Sequence, residues 1–592
     1  MIVSWDQAAI GALLGITLAM FAWGRLRYDL VAVLALLSAV ALGLVPPGEA
    51  FSGFGHPAVI TVAAVLGLSR ALQVSGVVSV MAAQLGRLPR SRAVQTAANG
   101  GVVIVLSAIM NNVGAIALML PVVLRIAARC RIRPSYLLMP VAFASMLGGL
   151  CTLIGTPPNV IIATMRKTAT GAAFGMFDFA PVGIVLSITG MAFLVVAGWR
   201  WLPARHAGLS AHEVFKMDEY LTELEISAES DYVDRPLGEL EALGRGDFAV
   251  VALLRGRRRR IAPSRHEPLQ AGDVLVVEAD PRSLQQLRER AQLELLSAPA
   301  REPIDLQSDG SALIEAVVKP QSRAEGSTAN RLQLRSRYGL NLLGVARHGE
   351  RLEQRVGQVV LRAGDVLLLQ GAEESMPQAL ASLGCIPLAQ RDLQLGTTGA
   401  YATPVIFAAG IVASATGLLP VELAFTAALS LIVLFRCLPI RELYESIDWS
   451  VIVLLGAMLP VGRALETTGA ASGVAAAIVA LDAQLPDTLL IGLLITVSMA
   501  LSNVVNNAAT ALLMAPIAID LAARIQASPD PFLMAVAVGS SCAFVTPIGH
   551  QSNLLVMGPG GYRFGDYWPL GVPLSVLVMV IATWLIPIVW PF

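Results

Sequence analysis

The sequence predicts an α-helical polytopic membrane protein made of two inverted repeats, each with a re-entrant hairpin and a broken helix, interrupted by an inserted cytoplasmic α+β segment. Three observations predict it. Of 592 residues, 55% are hydrophobic and only 14% charged, the balance of a chain that faces lipid over much of its surface. Motifs of the first third recur in the last third at nearly constant offsets. Between the two copies the character changes: Arg and Glu become dense and apolar runs shorten to strand length. Formal net charge is zero, so bulk charge offers no argument for a nucleic-acid partner. The five cysteines (130, 151, 385, 437 and 542) are scattered and lack metal-ligand spacing, so they read as small apolar residues. The N-terminus has neither a basic n-region nor a small-residue cleavage site, and its first apolar run reads as a retained helix.

The duplication rests on paired motifs. Asn111-Asn112-Val113-Gly114 and Asn506-Asn507-Ala508-Ala509 each interrupt a long apolar run. The following Pro121, Pro134 and Met139 match Pro516, Pro529 and Met534 at the same offset of 395. Thr152-x-Ile154-Gly155-x-x-x-Asn159 matches Thr546-x-Ile548-Gly549-x-x-x-Asn553 at 394, and Arg70-Ala71-Leu72 matches Arg463-Ala464-Leu465 at 393. Asp178-x-x-Pro181 answers Asp566-x-x-Pro569 near the end of each copy.

In order, residues 5–22, 29–46 and 57–85 are apolar segments long enough to cross a bilayer. The basic clusters Arg25/Arg27, Arg87/Arg90/Arg92 and Arg125/Arg129/Arg131/Arg133 all fall in the cytoplasm by charge bias. Residues 95–128 then begin and end on one side, which a hairpin resolves: two arms of about 15 residues reach the midplane and return. Its tip falls on Asn111–Gly114, and non-helical backbone at that depth is tolerated only where it is buried or lines a cavity. Residues 135–165 cross outward with a break before Pro157-Pro158, which suit the first turn of a new helix. Residues 181–202 return, closing a first repeat over 1–205. The second repeat, 400–592, runs the same series in the opposite orientation: 403–418, 421–436, an amphipathic link, 449–480, a hairpin over 487–523, a broken helix over 531–558 and a last helix over 569–590. Between them, Leu269-x-Ala271-Gly272-Asp273-Val274-Leu275 recurs as Leu361-x-Ala363-Gly364-Asp365-Val366-Leu367, and Arg255 recurs as Arg347, both at an offset of 92. Gly-Asp before an apolar run reads as a turn opening a strand. Two α+β modules, 210–304 and 305–392, are expected, with short helices over 281–290 and 374–383. The Arg257–Arg260 run reads as a solvated loop.

The tips and breaks supply the chemistry. Four helix starts, two at the tips and two after Gly155 and Gly549, offer free N–H groups and positive dipole ends to one central volume. Asn111, Asn112, Asn506 and Asn507 add amides, and Thr152, Thr156 and Thr546 add hydroxyls, so the site would hold an anion without a fixed cation. Ser107 and Ser502, one turn before the Asn pairs, are placed to join freed carbonyls around a small cation such as sodium. An isolated Asn pair could be no more than a cap satisfied locally; recurrence of both pairs beside equally repeated breaks favours a site. Arg70 and Arg463 read as substrate ligands or as side chains snorkelling to the interface. His550 reads as a loop histidine bonded to backbone, or a proton carrier, and Asp178 and Asp566 as caps.

These tips and the Thr-x-Ile-Gly-x-x-x-Asn loops resemble the divalent-anion/sodium symporter family, part of the ion-transporter superfamily that includes citrate and arsenite carriers. The resemblance covers both membrane halves. It implies sodium sites at Ser107, Asn111, Asn112 and Cys151 in one half and at Ser502, Val505, Asn507 and Val545 in the other, partly through backbone carbonyls. It implies substrate contacts from Asn112, Val113, Gly114, Thr152 and Thr156, and from Asn507, Ala508, Thr546 and Pro547. The family's Ser-Asn-Thr signature at each tip lies here on Asn111-Asn112-Val113 and Asn506-Asn507-Ala508, so the threonine hydroxyls that would meet substrate carboxylates are absent. That argues against a succinate-like substrate. The middle segment resembles two RCK C-terminal (TrkA-C) domains, an insertion that symporter-family members resembling bacterial and algal sulfate permeases carry. No G-x-G-x-x-G unit accompanies it, and no organic cofactor is expected.

The implied protein is a secondary transporter, not an enzyme. It would take up a small inorganic oxyanion such as sulfate with sodium as coupling ion, by an elevator-type mechanism. It would be a homodimer in the plasma (inner) membrane, with residues 210–390 cytoplasmic, both termini outside, and an unidentified small ligand for the RCK-C-like modules. A dicarboxylate or citrate carrier is the alternative within transport. A proton-coupled cation antiporter would want a midplane acid, and no tip or break has one. A channel gated by the modules is the remaining alternative.

Overall fold

The computed structural model describes residues 4–23, 26–76, 85, 88–202, 221–243, 248–255, 258–261, 266–279, 290–295, 311–320, 322–347, 350–352, 356–372, 375–388, 402–471, 473, 486–547 and 549–592. The chain divides into two compact units: residues 1–204, 392–556 and 563–592, and residues 205–391 with 557–562.

The first unit is helical. Its first series is α1 (Trp5–Trp23), α2 (Tyr28–Ala41), α3 (Pro57–Val74), α4 (Arg92–Ile109), α5 (Asn112–Cys130), α6 (Ser135–Gly149), α7 (Pro157–Thr170) and α8 (Ala180–Val196). The second is α9 (Ala402–Ala415), α10 (Val421–Leu434), α11 (Ile440–Ser446), α12 (Trp449–Thr467), α13 (Asp487–Ser502), α14 (Asn507–Arg524), α15 (Pro529–Ser541), α16 (Gln551–Gly560) and α17 (Trp568–Val589). Among the described residues, five helices are long and apolar enough to cross a membrane. The series share local devices at the offsets read from the sequence. Asn111 caps α5 by accepting Val113 N–H at 3.1 Å, and Asn506 caps α14 by accepting Ala508 N–H at 2.8 Å. After α5 and α14, Arg131 (φ 55°) and Gln526 (φ 56°) turn the chain through the left-handed region.

Each hairpin's first arm packs on the broken helix, α4 on α6 and α13 on α15. Glycine permits the approach: a Cβ on Gly148 would lie 2.5 Å from the Ile104 carbonyl oxygen, and one on Gly539 would lie 2.7 Å from that of Ile495. The two series also interlock, α2 on α12, α3 on α10, α7 on α14 and α15, and α8 on α17. The hairpin arms are longer than the expected 15 residues, at 18 and 19 in the first copy and 16 and 18 in the second, because helix continues past the apolar stretch into polar ends such as Arg92 and Arg524. The tips are correspondingly short: Asn112 and Asn507 already belong to α5 and α14.

Among its described residues, the second unit holds two five-stranded antiparallel sheets. The first has order β3-β2-β4-β1-β5, from β1 (Leu221–Ile226), β2 (Phe248–Arg255), β3 (Arg258–Ile261), β4 (Val274–Ala279) and β5 (Leu293–Leu295). The second has order β10-β6-β9-β7-β8, from β6 (Ser311–Val318), β7 (Asn341–Arg347), β8 (Glu350–Arg351), β9 (Val366–Ala372) and β10 (Cys385–Pro387). Strand for strand this is one order written twice, and the same irregularity, at Val250/Ala252 and at Leu342/Gly344, recurs in both. One ion pair is built identically. Arg255 meets Asp273 through two bonds of 2.8 and 2.7 Å and donates to the Pro268 carbonyl. Arg347 meets Asp365 through two of 2.7 Å and donates to the Val360 carbonyl. Gly272 (φ 81°) and Gly364 (φ 83°) supply the left-handed turn before each aspartate.

Two expectations change here. Of the Arg257–Arg260 run expected as a loop, Arg258–Arg260 belongs to strand β3, because its backbone pairs with β2, and Arg257 lies outside the described residues. The second short helix spans Met376–Leu383, two residues inside its expected start. The helix expected over 281–290 and the boundaries near 205–210, 304–305 and 392–400 lie outside the described residues, apart from residue 290.

Candidate anion and cation site at the helix breaks

The hairpin tips and the helix breaks are tied together by one hydrogen-bond scheme, used twice. In the first half Ser107 Oγ donates to the Ser145 carbonyl at 2.7 Å; in the second, Ser502 Oγ donates to the Ser540 carbonyl at 2.5 Å. The Thr152 hydroxyl donates to the Ala108 carbonyl, and that of Thr546 to the Asn503 carbonyl at 2.7 Å. Asn159 Nδ2 reaches the carbonyls of Thr152 (2.8 Å) and Gly149 (3.3 Å), as Asn553 Nδ2 reaches those of Thr546 (3.0 Å) and Ala543 (3.0 Å). A chain that leaves the helix in a buried place must satisfy its freed carbonyls, and these side chains do so. Gly155 and Gly549 complete the fit, since a Cβ on either would lie 2.9 Å from the carbonyl oxygen of Ser107 or Ser502.

The scheme sorts the expected site residues. Ser107, Asn112, Thr152 and Thr156 are buried around the first break, and Ser502, Ala508 and Pro547 around the second. Asn111 and Asn506 spend their oxygens as caps, and Asn507 Oδ1 also turns back to Ala508 N–H at 2.8 Å. Thr152 and Thr546 have committed their single hydroxyl protons to the hairpin backbone, so neither retains a proton for an anion. Thr156 differs: it is 1% exposed, and among the described residues its Oγ1 has no hydrogen-bond partner. Val113 and Gly114 lie in the first turn of α5, where a Cβ on Gly114 would meet Gln73 and Ser69 of α3. Cys151 turns its thiol to Ser187 and the Leu147 carbonyl, which leaves its backbone as what it can offer a cation. Val505 is buried before the second tip, and Val545 N–H is taken by Asn503 Oδ1 at 2.9 Å.

The remaining candidates do not join the site. Arg70 is paired with Glu442 of α11 at 3.0 Å, and Arg463 is exposed. Asp178 and Asp566 accept the N–H groups of Gly175 and Arg563, each at 2.7 Å, and so close the turns preceding α8 and α17. Among the described residues no three His, Cys, Asp or Glu side chains form a metal-binding group, and no Asp, Glu, Lys or Arg of the helical unit is fully buried.

The citrate transporter family (CitMHS) profile matches residues 18–539. The chain belongs to that family. Over 590 residues it is 30% identical to an uncharacterised transporter of Synechocystis sp. (strain ATCC 27184 / PCC 6803 / Kazusa), covering 98% of this chain and 96% of the relative. It is 29% identical to the uncharacterised transporter YfbS of Escherichia coli (strain K12), with 98% of each covered. It is 22% identical to "Probable sodium/sulfate cotransporter 3" of Chlamydomonas reinhardtii, over 94% of this chain and 85% of the relative. As a citrate transporter family member with apolar helices of spanning length, it is a polytopic membrane transporter.

Two contacts at the breaks escaped the comparison of the repeats. Asn503 is buried, and its Oδ1 takes the N–H groups of both Val545 and Thr546. Its counterpart is Ala108, so comparison of the repeats hides it. His550 is bonded to backbone as expected, but its other nitrogen lies 3.3 Å from the Asn112 amide of the opposite half.

Proposed function

We propose that the protein is a sodium-coupled carrier of a small inorganic oxyanion, with sulfate the leading substrate, in the plasma (inner) membrane. The observation that carries this reading is the absence, among the described residues, of any fully buried Asp, Glu, Lys or Arg in the helical unit. A divalent anion held there would depend on helix-start dipoles of roughly half a charge each and on cations travelling with it. The duplicated Ser107/Ser502 scheme supplies oxygens for such cations, and the Thr156 hydroxyl is a donor waiting for an acceptor. A proton-coupled antiporter would need a buried acid instead. A relative named for sodium/sulfate cotransport supports the same choice. Citrate is the second reading, favoured by the family's own description.

In this account the two helical series are inverted repeats, with both termini outside and residues 210–390 in the cytoplasm. The duplicated sheets are RCK-C-like modules that dimerise the carrier or bind a small regulatory ligand. The test is a thermal-stability panel of sulfate, other oxyanions, citrate and succinate on the purified protein, each in sodium and in choline. A ligand at a hundred times its dissociation constant stabilises by about 2.7 kcal/mol. Sulfate stabilising only in sodium is expected; citrate stabilising where sulfate does not would move the assignment to the second reading.

A further inference from the structure

Asn112 is one of the side chains that join the two halves of the helical unit, and it does so at the breaks. One end of its amide lies against Ser107 Oγ, and the other is 3.3 Å from His550 Nε2, in the second break. Its neighbours decide which way it is turned. Ser107 spends its hydroxyl proton on the Ser145 carbonyl at 2.7 Å, so it shows Asn112 a lone pair. The carbonyl oxygens of Ser145 and Gly155 lie 3.1 Å from the same end of the amide. All three neighbours are acceptors, so that end is the NH2. At the other end His550 Nδ1 accepts the Ser552 N–H at 3.1 Å. A neutral imidazole whose Nδ1 accepts carries its proton on Nε2, which therefore donates to Asn112 Oδ1. Every group is then paired, as burial demands.

We propose that His550 is a positioning residue: it holds Asn112 with its NH2 filling the oxygen cage of Ser107, Ser145 and Gly155, so that a cation can enter only if Asn112 turns and His550 releases Ser552. The inference rests on the cation-coupled reading above. A cation and an NH2 cannot share those oxygens, so the amide must present Oδ1 to the cage. Its NH2 then faces Nε2, which has to be the unprotonated nitrogen. One proton leaves Nε2 and one is taken up at Nδ1, and the ring stays neutral. Ser552 N–H, in the first turn of α16, thereby loses its acceptor. Cation occupancy in one half is thus coupled to a helix start in the other. The device exists once. The counterpart of His550 is Thr156, that of Ser552 is Pro158, and Asn507 turns into its own helix.

The test titrates sodium chloride against choline chloride at constant ionic strength and reads the thermal stability of the full-length protein. Wild type should show saturable, sodium-specific stabilisation. His550→Leu removes the competing arrangement, and half-saturation should fall about two- to tenfold, the range that one net hydrogen bond represents. Ser552→Pro copies Pro158 and removes the N–H that Nδ1 accepts, together with the hydroxyl that accepts from Ser145 Oγ at 3.4 Å; Ser552→Ala removes that hydroxyl alone and is its control. Ser552→Pro should shift the midpoint the same way and Ser552→Ala should not, and the pair carries the test if His550→Leu does not fold. His550→Gln, whose amide still donates and accepts, should behave as wild type. Unchanged or raised half-saturation in His550→Leu and Ser552→Pro, beside a normal wild-type response, would overturn the role of His550 alone. No sodium-specific response in wild type would overturn the cation-coupled reading and the inference with it.

Discussion

Thr156 and Thr152 sit four residues apart, and their hydroxyls face opposite demands. Thr152 holds the hairpin backbone, while Thr156 is buried without a partner. A buried hydroxyl left unpaired costs about 1–3 kcal/mol, and a ligand that accepts its proton recovers that. Thr156→Val should therefore fold at least as stably as wild type and lose anion-dependent stabilisation, whereas Thr152→Val should be destabilised by about 1–3 kcal/mol because the Ala108 carbonyl loses its donor. Thermal midpoints with and without sulfate separate the two, and a Thr156→Val protein that still responds to sulfate would remove Thr156 from the site. The Asn pairs and the threonines were legible because polar residues in an apolar run need a reason, and the repeat supplied it twice. Asn503 was not, since Ala108 stands in its place. The pairing of His550 with Asn112 was invisible because it crosses 438 residues of chain.

At the scale of elements, the hairpins and breaks were readable from punctuation: Asn caps, Pro157-Pro158, and glycines at close approaches. The inserted modules were readable from their offset of 92, which places Arg255 and Arg347, and Asp273 and Asp365, in the same relation. Strand β3 was not readable, because a run of arginines has no strand pattern of its own and becomes a strand only by pairing with β2. The modules stand on their ion pairs. Asp365 is 2% exposed, and Arg347→Met would leave it buried without its cation, costing about 2–3 kcal/mol, less than for a fully buried pair because Arg347 is partly exposed. The hydrogen bond to Asp365 raises the Arg347 pKa above its ordinary value. A raised basic group stabilises fully below its unfolded pKa and loses this only as pH rises past the folded value, far above neutrality. The loss in Arg347→Met should accordingly be flat from pH 6 to 9 in denaturant titrations; a loss that grows or fades across that range would mean another group carries it.

For the whole molecule, the inverted arrangement makes a claim about sides of the membrane. Pro320→Cys, in the turn after β6, should resist an impermeant thiol reagent in intact cells and react once they are opened; labelling from outside would refute the topology. Charge bias and duplication are the grounds for proposing this arrangement; the length of the hairpin arms was not legible, because helices run past the apolar stretches that define them in sequence. Coupled carriage requires both hairpin tips. Its most direct test is uptake of radiolabelled sulfate into proteoliposomes, with sodium or choline outside, by wild type, Asn112→Ala and Asn507→Ala. The prediction is sodium-dependent accumulation by wild type and none by either variant, both remaining folded and inserted. Accumulation that ignores sodium, or wild-type uptake by either variant, would contradict it.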